Sequence, residues 1–177
     1  WEKVNHIWPY LLGQDMLGLQ YSIHRPSPYI NCHRTDLLPD WQFPVSSLML
    51  VLQPSTVALN KITPDTEQQK QLLRRRFLHL SKRLIVRLKN EGYTAERFDP
   101  KTGQPYYSRA GSLTLDDVAV VQSMLGYRLI PCGKCRLIEH PVWGCGVFPP
   151  VVVSSAPTGA LAAIADRVWH FPKTRAS

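Results

Sequence analysis

Residues 126–144 read GYRLIPCGKCRLIEHPVWG, and this stretch decides the fold class. Residues 127–130 and 135–140 carry the branched and aromatic side chains of strands, with Gly133 between them at a tight turn. Strands joined this closely run antiparallel, because a parallel return needs a crossover of a dozen or more residues. The same stretch sets Lys134 and Arg136 on either side of Cys135, and it contains a competing pattern. Cys132, Cys135, His140 and Cys145 fit the C-x2-C-x4-H-x4-C spacing of a zinc knuckle.

Working outward, residues 146–153 predict a further strand and 157–169 a closing helix rich in Ala and Leu. Upstream, Thr114 is expected to cap a helix running to Leu125, with Asp116 and Asp117 in its first turn and Gly126 at its end. Residues 93–98 alternate as a strand, 99–103 form a Pro/Gly turn, and 105–108 are expected to return as a strand. The long helix at 64–90 is the clearest element. Thr63-Pro64 opens it, Asp65 and Glu67 sit at its positive end, and Gly92 stops it. Leu73, Phe77, Leu80, Leu84 and Leu88 recur at spacings of three and four, so one stripe is buried. Arg74, Arg75, Lys82, Arg83 and Lys89 occupy the rest and predict a solvated face. Residues 46–53 (SSLMLVLQ) form a nearly continuous apolar run before Pro54, as in a buried central strand. Residues 19–29, broken by Pro26 and Pro28, suit an edge strand and turn, and 37–41 a loop. The order β-β-α-β-β-α-β-β-β-α favours hairpins over crossovers. The expected class is α+β, a mainly antiparallel sheet packed with helices.

At 177 residues the chain supports one domain: an arm at 1–18, a single α+β domain at 19–171 and a tail at 172–177. A formal charge of +8 permits an anionic partner, but much of it lies on the long helix and reads as a solvated face. No apolar run approaches a membrane span. Three of the four cysteines cluster at 132–145, which points to thiol or metal chemistry and a reducing compartment instead of disulfide staples. The expected location is cytoplasmic, or mitochondrial if a targeting segment has been removed ahead of Trp1.

A zinc knuckle folds tightly round its metal and needs turn formers between the second Cys and the His. The spacer here is Arg136-Leu137-Ile138-Glu139. If it is extended, residues five apart point to opposite faces, so Cys135 and His140 diverge. A thiolate at Cys135, or at Cys132, asks for less. Positive neighbours raise the thiolate population, and Gly133 lets the backbone approach a large partner. The reading without chemistry makes Cys135 a small buried apolar residue and Cys132 an exposed turn residue. A thioredoxin-type C-x-x-C is disfavoured, since no helical pattern follows Cys135.

The residues that carry a family resemblance occur in order. Arg87-Leu88-Lys89-Asn90-Glu91-Gly92-Tyr93 leads to Phe98-Asp99-Pro100 and the Gly103 turn. Gly126-Tyr127, the 133–135 turn, Ile138-Glu139-His140 and Trp143-Gly144 follow. Over about 48–156 the chain resembles the CblD family of cobalamin-trafficking proteins, of methylmalonic aciduria and homocystinuria type D. The resemblance implies a nitroreductase-like α+β fold without enzymatic activity. It implies an adaptor, or chaperone, that directs cobalamin (vitamin B12) to client enzymes by binding a CblC-type processing partner. It also implies a cysteine that coordinates cobalt in that complex, cobalamin being held only with the partner. The register from His140 and Trp143 lands on Cys135. The family's human-type pattern has adjacent cysteines where this chain has Lys134-Cys135, so Cys132 remains the second candidate ligand, with Gly133 and Lys134 between.

Two other classes compete: a flavin-dependent reductase retaining nitroreductase activity, and a basic RNA-binding protein with a zinc knuckle. No Gly-rich phosphate loop supports the former. Among remaining residues, His140 reads as a structural hydrogen-bonded histidine, His79 as surface, and Trp41, Trp143 and Trp169 as core. Ser154-Ser155-Ala156-Pro157 reads as a helix cap, and the Asp116/Asp117 pair as dipole placement.

Overall fold

The computed structural model describes residues 19–169. The arm at 1–18 and the tail at 172–177 lie outside the described residues. The elements in chain order are β1 (Gln20–His24), α1 (Pro28–Cys32), α2 (Arg34–Leu37), β2 (Ser47–Pro54), α3 (Pro64–Asn90), β3 (Ala95–Arg97) and α4 (Asp117–Leu125). Then come β4 (Arg128–Cys132), β5 (Cys135–Glu139), β6 (Val147–Phe148), β7 (Val151–Ser154) and α5 (Thr158–Val168). All pairings are antiparallel, so the α+β class stands.

The main sheet has the order β1-β2-β7-β3, with β6 beside the end of β2. Every residue of β2 is buried, and the reason is visible in its alternation. Met49 and Val51 point into a cluster with Phe77, Leu80, Leu84 and Leu88 of α3 and Leu161 and Ile164 of α5. Leu48, Leu50 and Leu52 point the other way, towards Ile30, Leu37, Val121 and Ile138. A strand covered on both faces reads as one continuous apolar run. The molecule is thus layered, with α3 and α5 on one face of the sheet. The short helices α1 and α2, helix α4 and the β4–β5 hairpin cover the other.

The long helix matches its expected bounds, and its stripe is buried throughout, Leu80 being 7% exposed. Thr63 accepts from the Thr66 amide, and Thr66 reaches back to the Thr63 amide, so two otherwise unpaired donors are satisfied. Arg74 departs from the expected solvated face. Its guanidinium grips both oxygens of Asp99, which holds the Asp99 carboxyl below its usual range despite partial burial.

Several expectations need correction. Residues 28–37 form two short helices, so the strand at 19–29 ends early and the loop at 37–41 begins on a helical residue. Asp116, not Thr114, caps α4, its carboxylate accepting from the Ala119 amide. The run 146–153 is split at Pro149-Pro150 into β6 and β7. Ser154 and Ser155 do not cap α5. Their hydroxyls bond the backbone of Thr94, tying β7 to the start of β3.

The returning strand at 105–108 is also absent, and the cause is a buried charge. Glu96 is fully buried in β3, and its carboxylate accepts from the amides of Arg97, Tyr106, Tyr107 and Ser108. Side-chain oxygens replace the ladder partners of Tyr107 and Ser108, so the backbone pairing stops at the Phe98–Pro105 bridge, where the Tyr106 amide also bonds the Arg97 carbonyl.

Candidate functional site

The β4–β5 hairpin forms its own two-stranded sheet, in which Cys132 and Cys135 are direct partners across a two-residue turn. Gly133 has φ +58°, and no non-glycine residue among the described residues has positive φ, so in this turn positive φ falls on the first residue alone. That is the signature of a type II′ turn, and its twist matches the twist of the strands. A Cβ at Gly133 would meet nothing within 4 Å, so the glycine is required for its backbone angle and not for space.

Register sorts the hairpin's side chains into two faces. Leu129 and Ile138 pair on one face, and Ile138 is buried in the core while Leu129 packs against it. Arg136 shares that face and bonds Asp116 at 2.8 Å, so the hairpin is pinned to the N-terminus of α4. Next to Asp116, the Asp117 carboxyl is pushed up to about 7, chiefly by burial and also by its acidic neighbour.

The opposite face carries Arg128 with Glu139, Ile130 with Leu137, and Cys132 with Cys135. Cys135 is exposed. Cys132 is half-buried, and its thiol donates to the carbonyl of Asn60 at 3.3 Å. The reading that buried Cys135 and exposed Cys132 is therefore inverted. So is part of the electrostatic expectation. Arg136 points to the face away from the thiols and is engaged by Asp116, leaving Lys134 as the cation nearest Cys135 in the turn.

His140 is a structural residue. Its Nδ1 accepts the amides of Val142 and Trp143, each at 3.1 Å, so the proton sits on Nε2, which donates to Gln20 at 3.0 Å. The ring stacks on Trp143 with centroids 4.2 Å apart. Burial lowers its pKa, favouring the neutral form. The knuckle spacing thus does not become a metal centre. The extended spacer separates His140 from the thiols, and no group of three or more His, Cys, Asp or Glu side chains converges to hold a metal among the described residues. Trp41 and Trp169 are core, and Trp143 is a half-buried flank of it. His79 is exposed, in an open groove of about 520 Å³ along α3 with Lys82, Arg83 and Arg87. That groove lies on the opposite layer from the thiols. No helix among the described residues is long and apolar enough to cross a membrane.

Two partners in this site escaped sequence reasoning. Asn60 lies 72 positions from Cys132, and Gln20 lies 120 from His140. No local pattern marks either.

The family model for the methylmalonic aciduria and homocystinuria type D protein matches residues 28–165, the hairpin included. The chain is 26% identical over 109 residues to the human cobalamin trafficking protein CblD, covering 62% of this chain and 37% of that protein. The mouse protein of the same name is 28% identical over 114 residues, covering 63% and 38%. The chicken protein is 25% identical over 110 residues, covering 62% and 37%. The aligned part is thus little more than a third of the length of these relatives.

Proposed function

This chain belongs to the methylmalonic aciduria and homocystinuria type D protein family, and from that membership we propose that it is a non-enzymatic cobalamin-trafficking adaptor. It docks on a CblC-type processing partner, offers a cysteine thiolate to cobalt, and passes cobalamin towards client enzymes. The observation that carries this reading is the placement of Cys135. Its side chain is exposed at the tip of a hairpin, on the face turned away from the core. A soft thiolate suits a transition metal, and the Gly133-Lys134 turn beside it adds no side chain at its first residue and one cation at its second. Cys132, half-buried and bonded to Asn60, is the second choice.

Cobalamin is cargo here, presented by the partner, and binds poorly to this chain alone. The α+β sandwich is of a kind compatible with kinship to the flavin nitroreductases, with the flavin chemistry lost. The basic face of α3 supports only weak nucleic-acid association that vanishes steeply with salt. A reducing compartment such as the cytoplasm, or the mitochondrial interior, keeps the thiols available.

The test mixes partner, cobalamin and each single Cys→Ser variant and follows the cobalamin absorbance spectrum. Loss of the spectral change in Cys135→Ser alone supports the first choice, and loss in Cys132→Ser alone moves the role. If the double variant behaves like the wild type, the thiolate mechanism is wrong and only the adaptor role survives.

A further inference from the structure

We propose that Cys132 and Cys135 form a dithiol that closes reversibly into a disulfide by exchange with a low-molecular-weight disulfide of the glutathione class, and that closure withdraws the thiolate from cobalt. The second half rests on the cobalt-ligand reading above; the first does not.

The two residues are partners in the hairpin register, so their side chains leave the same face of the ribbon. Cα atoms of antiparallel partners lie roughly 4.5–5.5 Å apart, inside the roughly 4.4–6.8 Å that a disulfide spans. Both thiols are free. The bond that must yield is the weak one from Cys132 to the Asn60 carbonyl, at 3.3 Å. No third ligating side chain joins the pair to make a metal centre among the described residues. The arrangement also differs from a thioredoxin-type motif, because a strand and not a helix follows Cys135. This makes the pair a target of exchange, not a catalyst of it. A loop this short restricts the unfolded chain little, so the closed form gains little stability and is readily reduced.

The chemistry balances as two exchanges. The exposed Cys135 thiolate attacks one sulfur of the small disulfide, whose S–S bond breaks and releases one small thiolate. Cys132, after losing its proton, attacks the Cys135 sulfur, and the mixed disulfide breaks to release the second. Two protein thiols are oxidised, one small disulfide is reduced to two thiols, and the two protons end on those thiols.

The experiment incubates the chain with oxidised glutathione, alkylates the remaining thiols, and measures intact and peptide masses. The expected product has lost two hydrogens, links the Cys132 and Cys135 peptides, and leaves Cys32 and Cys145 alkylated. Dithiothreitol restores all four thiols, and Cys132→Ser stops at a glutathione adduct on Cys135. A wild-type chain that also stops at the adduct, or a crosslink through Cys32 or Cys145, overturns the proposal. A second arm adds partner and cobalamin to the oxidised chain and, after reduction and gel filtration, to the reduced one. The spectral change is expected only after reduction. The change appearing with the closed disulfide overturns the withdrawal of the thiolate. No change in either state, with the mass result intact, sinks the cobalt reading while the exchange site stands.

Discussion

Two strand segments of this molecule carry reactive side chains, and they are built in opposite ways. In β3, Glu96 and Arg97 are charged yet buried, and their neighbours meet most of their bonding needs. Glu96 collects four amides, while Arg97 bonds the Leu78 carbonyl and the Ser81 hydroxyl and lies 4.1 Å from the Tyr106 ring centroid. In the β4–β5 hairpin, Cys135 is exposed on the outward face, and Cys132 has one weak bond. The contrast separates scaffold from chemistry. A buried charge persists only where hydrogen bonds replace its hydration, so a saturated charge marks structure. An exposed thiol that contributes nothing to packing is free to react.

The sharpest way to break this comparison is Glu96→Ala, which strands the amides of Tyr107 and Ser108 and leaves that of Tyr106 only its bond to the Arg97 carbonyl. It is expected to cost roughly 3–5 kcal/mol, as for removal of one partner from a buried charged network. An unchanged denaturation midpoint would mean that the loop is held by something else. Next in size is Leu80→Ala on the helix that backs the sheet, expected to cost roughly 2–5 kcal/mol through lost burial and a residual cavity. A negligible shift in chemical denaturation would remove α3 from the core.

A smaller effect sharpens the hairpin side. Asp117 has a folded-state pKa of about 7, above its ordinary value of 3.8. Between those values the folded state binds the proton more tightly, so stability falls as pH rises through the window and the full penalty is present above it. Asp117→Asn is therefore expected to raise stability at pH 8 by on the order of 1 kcal/mol, reduced from the full shift because the group is only partly enclosed. The gain should vanish near pH 4, and equal gains at both values would rule out ionisation as the cause. The smallest stability effect is that of Cys135→Ser, expected within about 0.5 kcal/mol because the side chain is exposed. Thermal unfolding checks this, and a large loss would make Cys135 part of the scaffold after all.

Legibility followed the range of the interactions. The helix at 64–90 and the hairpin turn at Gly133 were readable because their causes are local: a capping residue, a period near 3.6, and a glycine where φ is positive. The interior strand at 46–53 was equally plain, because burial on both faces leaves no room for polar alternation. Thr114 read as the cap with Asp116 in the first turn, and only the chain's path into α4 gave the cap to Asp116. The strand expected at 105–108 failed because its alternation cannot reveal that Glu96, ten and more residues away, takes its amides.

The sequence by itself therefore determined the α+β class, the long amphipathic helix, the hairpin and the presence of two thiols in its turn region. These depend on periodicity and backbone preference within a few residues. Only the tertiary structure decided which thiol faces solvent, that Arg136 belongs to Asp116 and not to Cys135, and that His140 is locked by Gln20 and Trp143. Each depends on segments brought together by burying both faces of one sheet. The bonds to Asp116 and to Gln20 span 20 and 120 positions, beyond the reach of any local pattern.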